Sequence, residues 1–325
     1  MDADIISAAL TALAPTLAPG ATRIDALRLL TGGASMQTWS FDAIGGAASV
    51  PLILRHCPSS GRQVGKPELA VEAALIAAAG NNGVPVPRVV WVPGPNDMLQ
   101  DAIVMSRLEG ETLGLRIVRD AAFAPARDLL PAQCGEALAS IHALPLASLP
   151  SLDRRGPAET LAFYREAWEC DWMPRAAIEA AFRWLADTVP DPVEPTLVHG
   201  DFRTGNLMID PDAGLVGVLD WELAHIGDPA EDLGWLCVNS WRFRQVDKEA
   251  GGFGDLAPLL DAYEAAGAAP IDAARVKWWQ AMGSLKWGVI TRGMFVAGGG
   301  TVERAVIGRR LSECEADLIA LMEVS

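Results

Sequence analysis

Basic residues are scarce in this chain of 325 residues: 26 lysines and arginines stand against 41 acids, a net charge of −15. A surface so short of positive charge argues against nucleic acid or an anionic membrane as partner, because both reward clustered Lys and Arg. Cysteine is scarce too. Cys57, Cys134, Cys170, Cys237 and Cys314 are scattered, odd in number and free of any C-x-x-C pair. That pattern argues against a disulfide framework or a thiolate zinc site and leads us to expect reduced thiols in a cytoplasmic protein. No apolar run is long enough (about 18 residues) to cross a bilayer. The N-terminus opens with Asp2 and Asp4 where a secretory leader needs bases, and Pro15 and Pro19 break the stretch behind them, so no cleavable signal is expected. The phosphate loop Gly-x-x-x-x-Gly-Lys-Ser/Thr is missing, and so is a Gly-x-Ser-x-Gly nucleophile elbow.

What is present reads as globular: 50% of residues are apolar and 21% charged. The length allows two compact units around separate cores. A helix is expected over 2–18, then strands at 24–30, 36–42 and 50–56 between Gly-rich turns. Pro67 is placed to open a helix running to Gly80. Strand-like runs return at 88–92 and 100–107. Beyond residue 111 helical patterns dominate, at 126–143, 159–187 and 255–323, interrupted by a strand pair around 196–220. The order is a β-rich unit over 1–106, a connection near Ser106–Gly110 and a mostly helical unit over 107–325.

The most informative string is Leu197-Val198-His199-Gly200-Asp201-Phe202-Arg203-Thr204-Gly205-Asn206, followed by Leu219-Asp220-Trp221-Glu222. Phosphoryl transfer from a nucleotide needs a carboxylate to position the attacking hydroxyl and take its proton. It also needs an amide oxygen and a second carboxylate to hold Mg²⁺ on the phosphates. Asp201, Asn206 and Asp220 supply those groups in order, and the first two share the spacing of the protein-kinase catalytic loop. With Gly200 after His199, the string resembles the aminoglycoside phosphotransferase and choline kinase superfamily. An Arg closing the third strand resembles one branch of it, the kinase-like part of acyl-CoA dehydrogenase fusion proteins.

The resemblance implies an α+β, two-lobed protein-kinase-like fold with an antiparallel N-lobe, a helical C-lobe and the nucleotide between them. It implies ATP as co-substrate (GTP stays open), Mg²⁺, and a small hydroxylated acceptor. Asp201 is then the catalytic base, with Arg203 beside the transferring group and Asn206 and Asp220 as metal ligands. Gly32, Gly33 and Ser35 sit in a turn between strands where glycines let backbone approach phosphate. Alone, such a pair is more often a hairpin turn. Arg55 ends the third strand where kinases place a Lys, and guanidinium grips phosphate or carboxylate in a bidentate manner. Glu72 lies beside Leu69 and Ile76 on the next helix, where a carboxylate needs a partner that Arg55 would supply. By resemblance, Met105 and Arg107 belong to the hinge facing the base.

Other residues have plainer readings. His199 is expected to be structural. Glu222 is as easily structural as part of a metal shell, and Asp232 braces the catalytic loop only by family analogy. Asp228-Pro229-Ala230-Glu231 reads as a capping box. Lys277, Lys286 and Arg292 read as surface bases that snorkel. Nine of the eleven tryptophans fall in the C-terminal unit, most of them expected in the core. Two rival functions are a pseudokinase acting through interactions and an aminoglycoside-resistance kinase. Oligomeric state is not readable.

Overall fold

The computed structural model describes residues 3–30, 36–46, 48–57, 68–169, 174–296 and 302–323, with the side chains of 295–296 and 303–305 outside that description. Helix α1 (Ala3–Leu17) buries Ile6, Leu10, Ala14 and Leu17, a helical stripe. Strands β1 (Arg23–Leu30), β2 (Gln37–Gly45) and β3 (Ala48–His56) form an antiparallel meander. Helix α2 (Leu69–Asn81) then leads to β4 (Val89–Trp91) and β5 (Ala102–Ser106), and the sheet order is β1-β2-β3-β5-β4.

Strand alternation decides what each face of this sheet does. Leu52 and Leu54 of β3 point with Trp39, Phe41 and Val104 towards α1 and close one core. Ile53 lies on the opposite face, where Ile103 and Met105 meet Leu69, Ala73 and Ile76 of α2. Arg55 shares the parity of Ile53, so β3 delivers its guanidinium to the α2 side.

The second lobe holds α3 (Gly114–Arg119), α4 (Ala124–His142), β6 (Arg154–Arg155), α5 (Pro157–Glu169), α6 (Ala176–Asp187) and β7 (Thr196–Val198). It continues with β8 (Leu207–Asp210), β9 (Gly214–Val218), β10 (His225–Gly227), α7 (Ala230–Leu236), α8 (Leu256–Ala265), α9 (Ala273–Val296), α10 (Val302–Gly308) and α11 (Leu311–Glu323). The expected strand pair around 196–220 is corrected to two small sheets. β8 pairs with β9, whereas β7 pairs with β10, which also carries β6. The expected helix 159–187 is two helices, since Pro174 cannot continue one and Arg175 is extended at φ −123°. Over the expected helix 255–323 the described residues form four helices, with Gly267 at φ +96° ending the first. No helix among the described residues is long and apolar enough to cross a membrane.

Helices α4 and α8 meet closely at Gly135, where a Cβ would lie 2.4 Å from the Leu259 carbonyl oxygen and 2.8 Å from the Tyr263 nitrogen. Both obstacles are backbone, so neither yields by a rotamer change. Gly135→Ala is therefore expected to destabilise by about 1–2 kcal/mol, overpacking outweighing the gain of about 1 kcal/mol in helix propensity. A chemical denaturation midpoint equal to or above that of the parent protein would contradict this.

Candidate active site

The loop between β7 and β8 is held from below by one carboxylate. Asp232 of α7 is fully buried and accepts the backbone N–H groups of His199 (2.8 Å) and Gly200 (2.9 Å). His142 of α4 completes its shell at 3.2 Å. Burial opposes its ionisation, but the His142 hydrogen bond and the backbone N–H groups outweigh it and keep Asp232 below the usual carboxylate range. Gly200 adopts φ +79°, and a Cβ there would lie 2.4 Å from the Leu223 carbonyl oxygen, so the turn needs glycine twice over. His199 is buried, and its Nδ1 accepts the Asp201 N–H (3.2 Å) while its Nε2–H donates to the Leu219 carbonyl (3.1 Å). One acceptor and one donor describe a neutral imidazole, and burial lowers its pKa accordingly. His199 ties the loop to the segment entering Asp220, and it moves no proton.

Asp201 is then presented in a fixed attitude. Its Oδ1 accepts from Trp235 Nε1 (2.7 Å) and Arg203 Nε (3.1 Å), and its Oδ2 from Asn206 Nδ2 (2.6 Å). Asn206 also donates Nδ2 to the Asp201 carbonyl (3.0 Å), which commits its amide nitrogen and leaves its side-chain oxygen as an acceptor. The Asn206 carbonyl receives the Leu219 N–H at 2.8 Å, bringing the loop against Asp220. Asp220 sits at φ +66°, a left-handed conformation uncommon outside glycine.

Arg55 reaches this assembly from β3. One terminal nitrogen pairs with Glu72 and the other donates to Asp220 Oδ1 at 2.9 Å, so a single guanidinium joins α2 to the second lobe. Glu72 is almost wholly buried and also accepts the Trp221 backbone N–H. Burial pushes its carboxyl up to about 7, Arg55 opposes the shift, and Asp220 and Glu222 reinforce it. A magnesium ion takes hard oxygen ligands and usually only one or two carboxylates beside phosphate oxygens and water. The Asn206 oxygen and the Asp220 carboxylate fit that demand. No cluster of three or more His, Cys, Asp or Glu suited to a metal occurs among the described residues.

The remaining expected positions fall unevenly. Gly32, Gly33 and Ser35 lie outside the described residues. Met105 is buried in the α2-side core, between Ile53 and Val89 in the sheet. Arg107 turns back to β2: its guanidinium binds Ser40 Oγ (2.9 Å) and Asp42 (2.9 Å), and its N–H donates to the Pro51 carbonyl. The capping box is corrected. Asp228 does accept the Ala230 N–H (3.0 Å), but Glu231 turns to His225 Nε2 (3.1 Å) because a buried carboxylate gains more from a basic ring than from a backbone amide. Asp228 also takes Arg275 and the Trp279 N–H. Lys286 is corrected as well. It is buried, donates to the Gly200 carbonyl (3.0 Å), lies 3.7 Å from Glu231 and sits over the Trp235 ring at 4.3 Å. Burial alone would discharge it, but Tyr164, Glu231 and Asp201 raise its pKa. Trp235, Lys286 and His142 are site residues that the sequence reading missed. The three-residue step from Asp232 to Trp235, which puts both on one helix face, was the available signal.

Glu72 holds its proton more tightly in the fold (about 7) than in the unfolded chain (4.5). Its contribution to stability is therefore full below about 4.5 and is lost as pH climbs towards 7. Glu72→Gln should remove that part of the decline, seen by comparing thermal midpoints at about pH 5 and about pH 7.5. An unaltered pH slope in the variant would count against the assignment.

Known proteins share this fold and family. The chain superposes on a candidate aminoglycoside phosphotransferase of Ralstonia eutropha with a TM-score of 0.74 at 18% identity, covering 99% of this chain and 98% of that one. A spectinomycin phosphotransferase solved with ADP and spectinomycin superposes with a TM-score of 0.61 at 13% identity, covering 92% and 94%. At such identities the likeness concerns the fold. In sequence, acyl-CoA dehydrogenase family member 10 of Mus musculus is 29% identical over 200 residues, 58% of this chain. That stretch is only 18% of the mouse protein's own length. The sequence profile of the phosphotransferase enzyme family (APH) matches residues 26–278, most of the two-lobed chain including the whole 199–220 assembly, and the chain belongs to that family.

Proposed function

We propose that this phosphotransferase moves the γ-phosphoryl group of ATP to a hydroxyl of a small metabolite. The observation that carries the reading is the convergence of Asp201, Asn206 and Asp220 with the Arg55–Glu72 pair from the other lobe. Residues 1–106 hold the nucleotide in this reading, and residues 107–325 supply catalysis and the acceptor site. Asp201 orients the acceptor hydroxyl and takes its proton as the new O–P bond forms and the bond to the β-phosphate oxygen breaks, releasing ADP. Arg203 stands beside the transferred group, and Arg55 is the cation for the inner phosphates. Asn206 and Asp220 hold Mg²⁺, which when bound neutralises charge on the phosphates. The hinge at Met105–Arg107 and the turn at Gly32, Gly33 and Ser35 are assigned to the nucleotide on the motif alone.

The acceptor side favours a metabolic, acyl-CoA-like alcohol over a cationic antibiotic or choline. Aromatic boxes bind such cations on free ring faces. Here the Trp241 ring carries Arg203 at 4.7 Å and the Trp235 ring carries Lys286 at 4.3 Å, so protein cations already occupy both. The named relatives among acyl-CoA dehydrogenase family members point the same way. A cytoplasmic setting suits the buried free thiols of Cys134, Cys237 and Cys314. The pseudokinase reading fits less well, because all three residues of the catalytic set stand in place.

Radiolabelled ATP with Mg²⁺, offered to aminoglycosides, choline, sugars, homoserine and hydroxyacyl-CoA thioesters, tests the proposal. Label should enter one acceptor class, and Asp201→Ala should lower turnover by roughly a thousandfold or more while the thermal midpoint holds. Near-normal turnover in that variant would sink the mechanism. Expression of the protein should leave cells sensitive to aminoglycosides, and a clear resistance phenotype would overturn the acceptor class.

A further inference from the structure

Of the three N–H donors on the Asp201 carboxylate, two travel with it. Arg203 and Asn206 belong to the same loop and shift whenever that loop shifts. Trp235 belongs to α7, and its Nε1–H reaches Oδ1 at 2.7 Å. An indole has no acceptor and no accessible proton transfer, so its contribution is purely directional. It is the one bond, among the described residues, that references this carboxylate to the body of the second lobe.

The indole is itself fixed on several sides. It is only 3% exposed. Gly283 of α9 leaves room for the ring, since a Cβ there would lie 3.0 Å from Trp235 Cε3 and 2.7 Å from Val238. Gly234 lets α7 press on α9, for a Cβ at that position would lie 2.5 Å from Trp279 Cβ. The Trp241 ring packs at 5.1 Å and 60°. Lys286 covers the Trp235 ring and at the same time donates to the Gly200 carbonyl, one residue before Asp201. Backbone and carboxylate of the same turn are thus tethered to the same pair of helices, the backbone through Asp232 and Lys286 and the carboxylate through Trp235.

We propose that Trp235 is a positioning residue for phosphoryl transfer: its clamped indole N–H holds Asp201 Oδ1 and so fixes the carboxylate in the attitude that receives the acceptor hydroxyl. The proposal rests on Asp201 acting on that hydroxyl. Without the indole donor, the carboxylate is held only by Arg203 and Asn206, which shift with its own loop, and near-attack geometry is sampled less often. Nucleotide binding, which uses other groups, is untouched.

Two measurements test this. In the first, the indole N–H signal of Trp235 is assigned in NMR spectra by its loss in Trp235→Phe, then followed in Asp201→Asn. It should move strongly when the charged acceptor is removed. In the second, Trp235 is replaced by benzothienylalanine, which puts sulfur in place of N–H and keeps the bicyclic ring. Turnover with the acceptor found in the label-transfer panel should fall roughly tenfold to a hundredfold, the loss of a hydrogen bond to a charged group. The KM for ATP and the Kd for Mg-ADP should stay within about twofold. Full turnover in the sulfur analogue overturns the proposal, as does an indole signal indifferent to Asp201→Asn. Turnover, nucleotide affinity and thermal stability falling together would make Trp235 a packing residue and overturn it too. A parent protein that labels no acceptor would count against the phosphotransfer reading alone, and the indole signal would still decide whether Trp235 holds Asp201.

Discussion

Everything at the cleft depends on the buried carboxylate of Asp232. Two consecutive backbone N–H groups of a tight turn have no helix or sheet partner, and leaving them unpaired inside the protein would cost a few kcal/mol. Asp232 accepts both, and His142 offsets part of the cost of burying its charge. The turn at Gly200 owes its shape to this bond pair, and Asp201 owes its position to the turn. Because Asp232 lies one helical turn before Trp235, α7 fixes the backbone and the side chain of the Asp201 segment from a single face.

The Arg55 bridge adds a different kind of constraint. A guanidinium offers several donors in a rigid fork, so it satisfies Glu72 and Asp220 at once through separate nitrogens. The two carboxylates it joins belong to different lobes, 148 residues apart in the chain (220 less 72). Charge balance across the cleft is therefore local: Arg55 faces Glu72, Asp220 and Glu222, and burial sets how readily Glu72 takes a proton. The opposite wall, built on tryptophans, has its cations supplied by the protein.

Several of these features were legible beforehand. The strand at 50–56 was expected to end in a base at Arg55, and the helical step Leu69–Glu72–Ile76 marked an acid on an apolar flank that Arg55 would satisfy; the structure joins the two. The order Asp201, Asn206, Asp220 suggested a common site because the family motif and local strand signals agreed, and hydrogen bonds link all three segments. Lys286 was misjudged because a lysine on a long helix ordinarily snorkels to water. Its partners, the Gly200 carbonyl and Glu231, come from 86 and 55 positions away. Glu231 was misjudged for a similar reason: local capping chemistry competes with a buried histidine, and the stronger, basic partner wins.

By itself the sequence determined what is local. Periodicity set which strand and helix faces are apolar, Pro174 and the glycines set where helices stop, and the 199–220 string set the chemical groups available for phosphoryl transfer. Only the tertiary structure decided which of those groups meet. Asp232 under the turn, Arg55 on Asp220 and Trp235 on Asp201 are contacts between elements far apart in the chain, and each is made because a polar group buried by packing must find its partner wherever the fold brings one within about 3 Å.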